Sequence, residues 1–171
     1  PDVIQPFRIG ETVQGRPIWA FRVTDPGAPV RHKVLVEAQI HAMEWIGAEV
    51  ACELLLTLAQ SPIPGVEYIV IPVLNVDGRR AVEKDLRAGR DQFRRSNANG
   101  VDLNRDFTSN RTPHALWAKV MKKRYRMPPG DGLTQPETIA LDALATREGF
   151  DVTVSLHAFG GYIYYPWAGL W

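Results

Sequence analysis

The sequence predicts an α/β fold: a mixed, largely parallel, twisted sheet flanked by helices, organised as one domain over residues 1–171. Three observations lead there. Runs with strand character (18–24, 33–39, 67–74, 150–156) are interleaved with helical patterns (45–58, 114–125, 136–147), and that alternation belongs to a layered α/β sheet. The run from Glu67 to Leu74 is apolar almost without a break, as a strand covered on both faces requires. Finally, His41, Asn75 and His157 each fall at the carboxyl end of a predicted strand, the edge where such sheets gather their ligand sites.

Taken in order, residues 1–17 are rich in turn formers, with Gly10, Gly15 and Pro17 as breakers. Residues 18–24 alternate apolar and polar, and the turn 25–29 makes the strand at 33–39 their expected antiparallel neighbour. Residues 45–58 are apolar nearly all round, which predicts a helix packed on the sheet. After the strand at 67–74, Asn75-Val76-Asp77-Gly78 reads as a turn. Residues 79–110 carry many charged and small polar side chains without a clear period, and read as a long surface excursion of the functional kind. The helix at 136–147 has Thr134 as its expected N-cap, with Glu137 three residues on. Residues 150–156 form a buried strand and residues 162–165 a short one.

Composition sets limits. With 20 basic and 19 acidic residues the net charge is +1, which offers no electrostatic footprint for nucleic acid or a membrane surface. No stretch approaches the roughly 18 apolar residues of a membrane span. The single cysteine, Cys52, excludes an internal disulfide; inside an apolar helical pattern it reads as a buried structural thiol.

The chemistry centres on Gln39-Ile40-His41-Ala42-Met43-Glu44-Trp45. His41 and Glu44 are three residues apart, so both project to one side once the chain turns helical. With His157 they make two imidazoles and one carboxylate, the donor set of a catalytic zinc that keeps a position open for water. His32 and His114 read as ordinary hydrogen-bonded histidines. The loop 95–107 brings Arg95, Asn104 and Arg105. An oxyanion formed beside a metal needs a fixed cation or donor, and a substrate carboxylate calls for the planar fork of arginine. Asp102 is either a turn residue or the carboxylate that orients a ligand histidine.

His41-Ala42-Met43-Glu44-Trp45, Arg95-Ser96-Asn97, Asp102-Leu103-Asn104-Arg105, and Ser155-Leu156-His157 followed by Tyr164-Tyr165-Pro166 together resemble the zinc metallocarboxypeptidases of the carboxypeptidase A type, the M14 family. Gly15-Arg16-Pro17-Ile18 and Gln135-Pro136-Glu137-Thr138 are similar to the family as well. The resemblance implies a three-layer α/β/α fold and one Zn²⁺ held by His41, Glu44 and His157. It implies that Arg95 polarises the scissile carbonyl, that Asn104 and Arg105 grip the terminal carboxylate, and that Asp102 hydrogen-bonds a ligand histidine. The substrate would be a peptide or protein C-terminus, and the setting secreted or periplasmic; oligomeric state is left open.

There are departures. Met43 stands where the pancreatic-type enzymes have an arginine, and Phe159 where many have a tyrosine. The family's general base is a glutamate well downstream of the third ligand, and the sequence reaches only Trp171. The expectation is therefore an incomplete copy of the domain with little peptidase turnover and an open sheet edge at 150–156. Glu37, within a strand, and Glu148, at the far end of one, do not replace that base. Two other readings remain open: a non-catalytic module binding zinc and C-terminal carboxylates, and an aspartoacylase-like amidohydrolase of small N-acyl amino acids. The Ala42-Met43-Glu44-Trp45 context favours the peptidase branch.

Overall fold

Alternation along the strands decides the layering. In a computed structural model describing residues 3–109, 128 and 130–165, the strands are β1 (Ile4–Glu11), β2 (Pro17–Val23), β3 (His32–Ala38), β4 (Val66–Ile71) and β5 (Val152–Leu156). The helices are α1 (Trp45–Gln60), α2 (Val76–Arg87) and α3 (Pro136–Glu148). Leu35, Ile69 and Ile71 point to one side, where they pack with Ala140, Leu141 and Leu144 of α3. Val36, Ala38 and Val70 point to the other, against Ala51, Leu55 and Leu58 of α1. Successive side chains on a strand face opposite ways, so β3 and β4 need apolar residues at nearly every position.

The sheet order is β1-β2-β4-β3-β5. β1–β2 and β2–β4 are antiparallel, while β3–β4 and β3–β5 are parallel. The sheet is thus mixed, with helices on both faces. β2 and β3, expected to be antiparallel neighbours, are separated by β4. The 25–29 turn does not close a hairpin, because β3 takes its parallel partners from strands reached through helices.

Other expectations change as well. The turn-rich start folds as β1, an outer strand paired to β2 despite its glycine and proline. The supposed turn at Asn75 is the start of a helix, with the Asn75 side chain accepting from the Gly78 N–H; residues 79–87 of the predicted excursion belong to α2. Gly78 is required there, because an added Cβ would sit 2.6 Å from Asn75 Oδ1 and 2.7 Å from Ala42 Cβ. The N-cap of α3 is Gln135, with Pro136 in the first turn. The residues leading into it are held by Asp106, whose Oδ2 accepts from Thr134 N at 3.0 Å and Gln135 N at 2.9 Å. Cys52 is exposed on α1. β5 is largely exposed, since among the described residues it pairs only with β3. Residues 162–165 form no strand, and the helix predicted at 114–125 lies outside the described residues. No described helix is long and apolar enough to cross a membrane.

Candidate metal centre

The parallel strands deliver the cluster. β3 runs on through Gln39, held at φ 54°, into His41. The turn is fastened on both sides: Asn75 N donates to Gln39 O at 3.2 Å, and Ala42 N and Met43 N donate to Arg95 O and Arg94 O at 3.2 and 3.0 Å. The Gln39 side chain donates to Ala42 O at 2.9 Å and accepts from Arg79 at 3.0 Å. Helix α1 begins directly after Glu44, and Gly47 lets it approach the end of β5, where an added Cβ would lie 3.0 Å from Leu156 O. That contact sets the distance between Glu44 and His157.

His41 Nδ1 lies 2.9 Å from Glu44 Oε1, His157 Nδ1 2.9 Å from Glu44 Oε2, and the two Nδ1 atoms 3.2 Å apart. Tetrahedral bonds of about 2.1 Å to nitrogen and oxygen put neighbouring donors about 3.4 Å apart, so the three groups stand near the spacing that one small cation demands. Each outer ring nitrogen has a polar neighbour of its own, and Arg95 Nη2 also lies 2.8 Å from His41 Nε2. His41 Nε2 lies 3.1 Å from Asp102 Oδ1 and His157 Nε2 3.1 Å from Ser155 Oγ. With hydrogens there, both inner nitrogens offer lone pairs. The donor set fits zinc.

The contacts of the cluster shift the protonation of its own members. Burial opposes charge on His41, but Asp102 and Glu44 outweigh it and raise its pKa. Burial likewise pushes Glu44 up, yet hydrogen bonding with His157 and His41, and with the Ala158 N–H at 3.1 Å, brings its carboxyl down to about 2. Asp102 is lowered too: its burial is overcome by His41 and by the charges of Arg95 and Arg105.

Arg95 stands over the cluster, with Nη1 3.7 Å from Glu44 Oε1 and Nε 3.4 Å from Asp102 Oδ2. Its loop is braced locally by Asn97. Buried Asn97 accepts from Val101 N and Asn99 N and donates to Gln135 and Glu137 at the start of α3. Asn104 and Arg105 occupy a 3-10 turn, Leu103–Arg105, capped by Asp102, which accepts from Asn104 N at 3.1 Å. Arg105 donates to Asn104 O at 2.9 Å. His41, Glu44, His157, Arg95 and Asp102 therefore converge, with the Asn104-Arg105 turn attached through Asp102. Sequence reasoning gave no role to Ser155 or the Ala158 N–H. The first was readable, because a residue two before His157 in a strand shares its face.

A mixed sheet with helices on both faces, carrying an imidazole–carboxylate–imidazole cluster at the ends of its parallel strands, is an α/β scaffold with a candidate metal site. Residues 1–169 match the family model described as zinc carboxypeptidase, peptidase family M14, and the chain belongs to that family. The uncharacterized protein YqgT of Bacillus subtilis (strain 168) is 33% identical over 197 residues, covering 95% of this chain and 50% of its own length. Carboxypeptidase A6 of Mus musculus is 23% identical over 180 residues, 98% of this chain and 41% of its own. The solved carboxypeptidase A from Helicoverpa armigera shares the fold with a TM-score of 0.75 at 21% identity, over 94% of this chain and 42% of the other. The chain spans half the length of these relatives or less.

Proposed function

We propose that this chain carries the zinc-binding and carboxylate-recognising portion of a metallocarboxypeptidase that hydrolyses the C-terminal peptide bond of peptides and proteins. The observation that supports it is the convergence of His41, Glu44 and His157 on one point, under Arg95. A zinc ion held there would supply an activated water and polarise a carbonyl. Arg95, anchored to Asp102, presents a fixed positive charge to the oxygen on which negative charge develops. Asn104 and Arg105 bind the terminal carboxylate, the guanidinium as a planar fork. Asp102 holds His41 with its lone pair inward.

The carboxylates of the described cluster are already committed. Glu44 faces both imidazoles, Asp102 is held by His41 and Arg95, and Glu37 is buried in β3. The 171-residue chain is therefore expected to bind free C-termini and to turn them over slowly. The same observation favours, as a second reading, a module that binds without cleaving.

Calorimetry with the zinc-loaded chain tests this. A dipeptide with a free carboxylate should bind, its amide should not, and Arg105→Lys should weaken binding about tenfold, the scale of one charge-assisted hydrogen bond. Equal binding of acid and amide defeats the carboxylate grip. Turnover of about 1 s⁻¹ or faster, ordinary for an enzyme, shows that a general base is at hand. An N-acyl amino acid in the same assay separates peptidase from amidohydrolase specificity.

A further inference from the structure

His41 has a known brace, Asp102. The outer ring nitrogen of His157, which follows the exposed strand β5, has among the described residues only the Ser155 hydroxyl beside it, and a serine rotor is a weak brace unless its own hydrogen is fixed. The register of β3 with β5 sets Glu37 opposite Ser155. Directly opposed residues of a parallel pair point to the same face. Both also line one cavity of about 260 Å³, together with Leu35, Phe107 and Leu141. Glu37 is only 6% exposed, and its Oε2 makes no hydrogen bond. Burying a carboxylate costs several kcal/mol without a partner, so a glutamate retained at this position calls for a reason.

We infer that Glu37 is a positioning residue for the third metal ligand, acting through Ser155 on the ring of His157. The hydrogen directions follow from the cluster. His157 Nδ1 faces Glu44 and His41, so its hydrogen is on Nε2, which donates to Ser155 Oγ. A hydroxyl that accepts on oxygen still has its own hydrogen to give, and Glu37 is the carboxylate across from it. Burial pushes the Glu37 carboxyl above its usual range, with Ser155, His157 and His41 acting the other way. The result is a carboxyl–hydroxyl–imidazole line for His157, the counterpart of the direct carboxylate–imidazole contact of His41; a carboxyl oxygen accepts the Ser155 hydrogen in either protonation state. It ties the ligand on the outer strand to the interior of the sheet.

The inference rests on the zinc site proposed above, and the experiment separates the two. Zinc affinity of the full chain is measured by competition with a chromophoric chelator, alongside thermal unfolding of the metal-free form. Glu37→Gln and Ser155→Ala should each weaken zinc about 10- to 100-fold, the range for outer partners of metal ligands. The double variant should be no weaker than the worse single one, because both break the same line. Ser155→Thr should restore binding. Should Glu37→Gln fail to fold, Ser155→Ala on the exposed strand decides alone. Unchanged zinc affinity with a shifted unfolding temperature makes Glu37 a core residue only and overturns the inference, as do losses that multiply in the double variant. If His157→Ala keeps zinc, the metal site itself fails; if it loses zinc while Glu37→Gln and Ser155→Ala do not, only the line through Ser155 fails.

Discussion

The two ends of the parallel strands both bury carboxylates and satisfy them in opposite ways. At the amino end, Glu148 accepts from Lys33 Nζ at 2.9 Å and Arg22 Nη2 at 2.8 Å. Glu67 lies 3.4 and 3.6 Å from the same two cations, and Asp151 accepts from Lys33 N at 2.7 Å. Glu148 and Glu67 thus meet permanently charged partners, while exposed Asp151 accepts from a backbone N–H. At the carboxyl end, Glu44 is wedged between two imidazoles whose charge is conditional, with Arg95 at 3.7 Å. Of the three non-glycine residues at positive φ among the described ones, Gln39 and Phe159 sit within two residues of a metal-candidate histidine, where stored backbone strain marks a functional site. One end is closed by fixed charges; the other sets its carboxylates among imidazoles, with Arg95 as the fixed charge beside them.

The largest break in that contrast is removal of a proposed ligand. Glu44→Gln should cost zinc affinity well beyond the roughly 10- to 100-fold of an outer partner. It should leave the amino-end ion pairs in place, so the variant remains folded by circular dichroism. Retained affinity in the chelator assay would mean that the cluster is only a hydrogen-bonded knot. Asp102→Asn comes next, with an expected loss of about 10- to 100-fold, because the amide can also present its NH₂ to His41 Nε2 and so favour the wrong tautomer. If the Asn variant binds zinc like the parent, Asp102 is a turn cap and nothing more.

Much of this contrast could be read from residue order alone, and the reasons are local. His41, Glu44 and His157 were visible because strand ends and a three-residue spacing are sequence properties. Arg95 and Asp102 were visible because the family's motifs carry them. The covering of β4 on both faces followed from its nearly unbroken apolar run. The pairing of β2 was not readable: hairpin logic compares neighbours in sequence, whereas β4 reaches β2 only after α1. Helix α2 was missed because its surface is strongly polar and its opening Asn75-Val76-Asp77-Gly78 has turn chemistry, yet the same asparagine caps a helix when the backbone continues αR. The exposure of β5 and Cys52 depends on what packs beside them, which composition does not encode.

The smallest expected effect lies at the amino end and sharpens the comparison by leaving the site alone. Burial tends to raise the Glu148 carboxyl, but Lys33 and Arg22 overcome it and hold its pKa below the usual value. A carboxylate depressed in the folded state contributes stability that is present above its unfolded pKa and is lost as pH falls through the folded one. Lys33 is raised, chiefly by its hydrogen bond to Glu148, so its share is present below its ordinary pKa and disappears as pH rises through the elevated one. Both cations are about a third exposed, so solvent screening keeps the pair modest. Glu148→Gln should cost about 1–2 kcal/mol near neutral pH, between an exposed pair and a buried one. It should also flatten the acid limb of a stability–pH curve measured by urea unfolding, while zinc affinity at the opposite end stays that of the parent. A change in zinc affinity would show that the two ends are coupled through β3 and β5, and that the separation of a closed end from a conditional one is too simple.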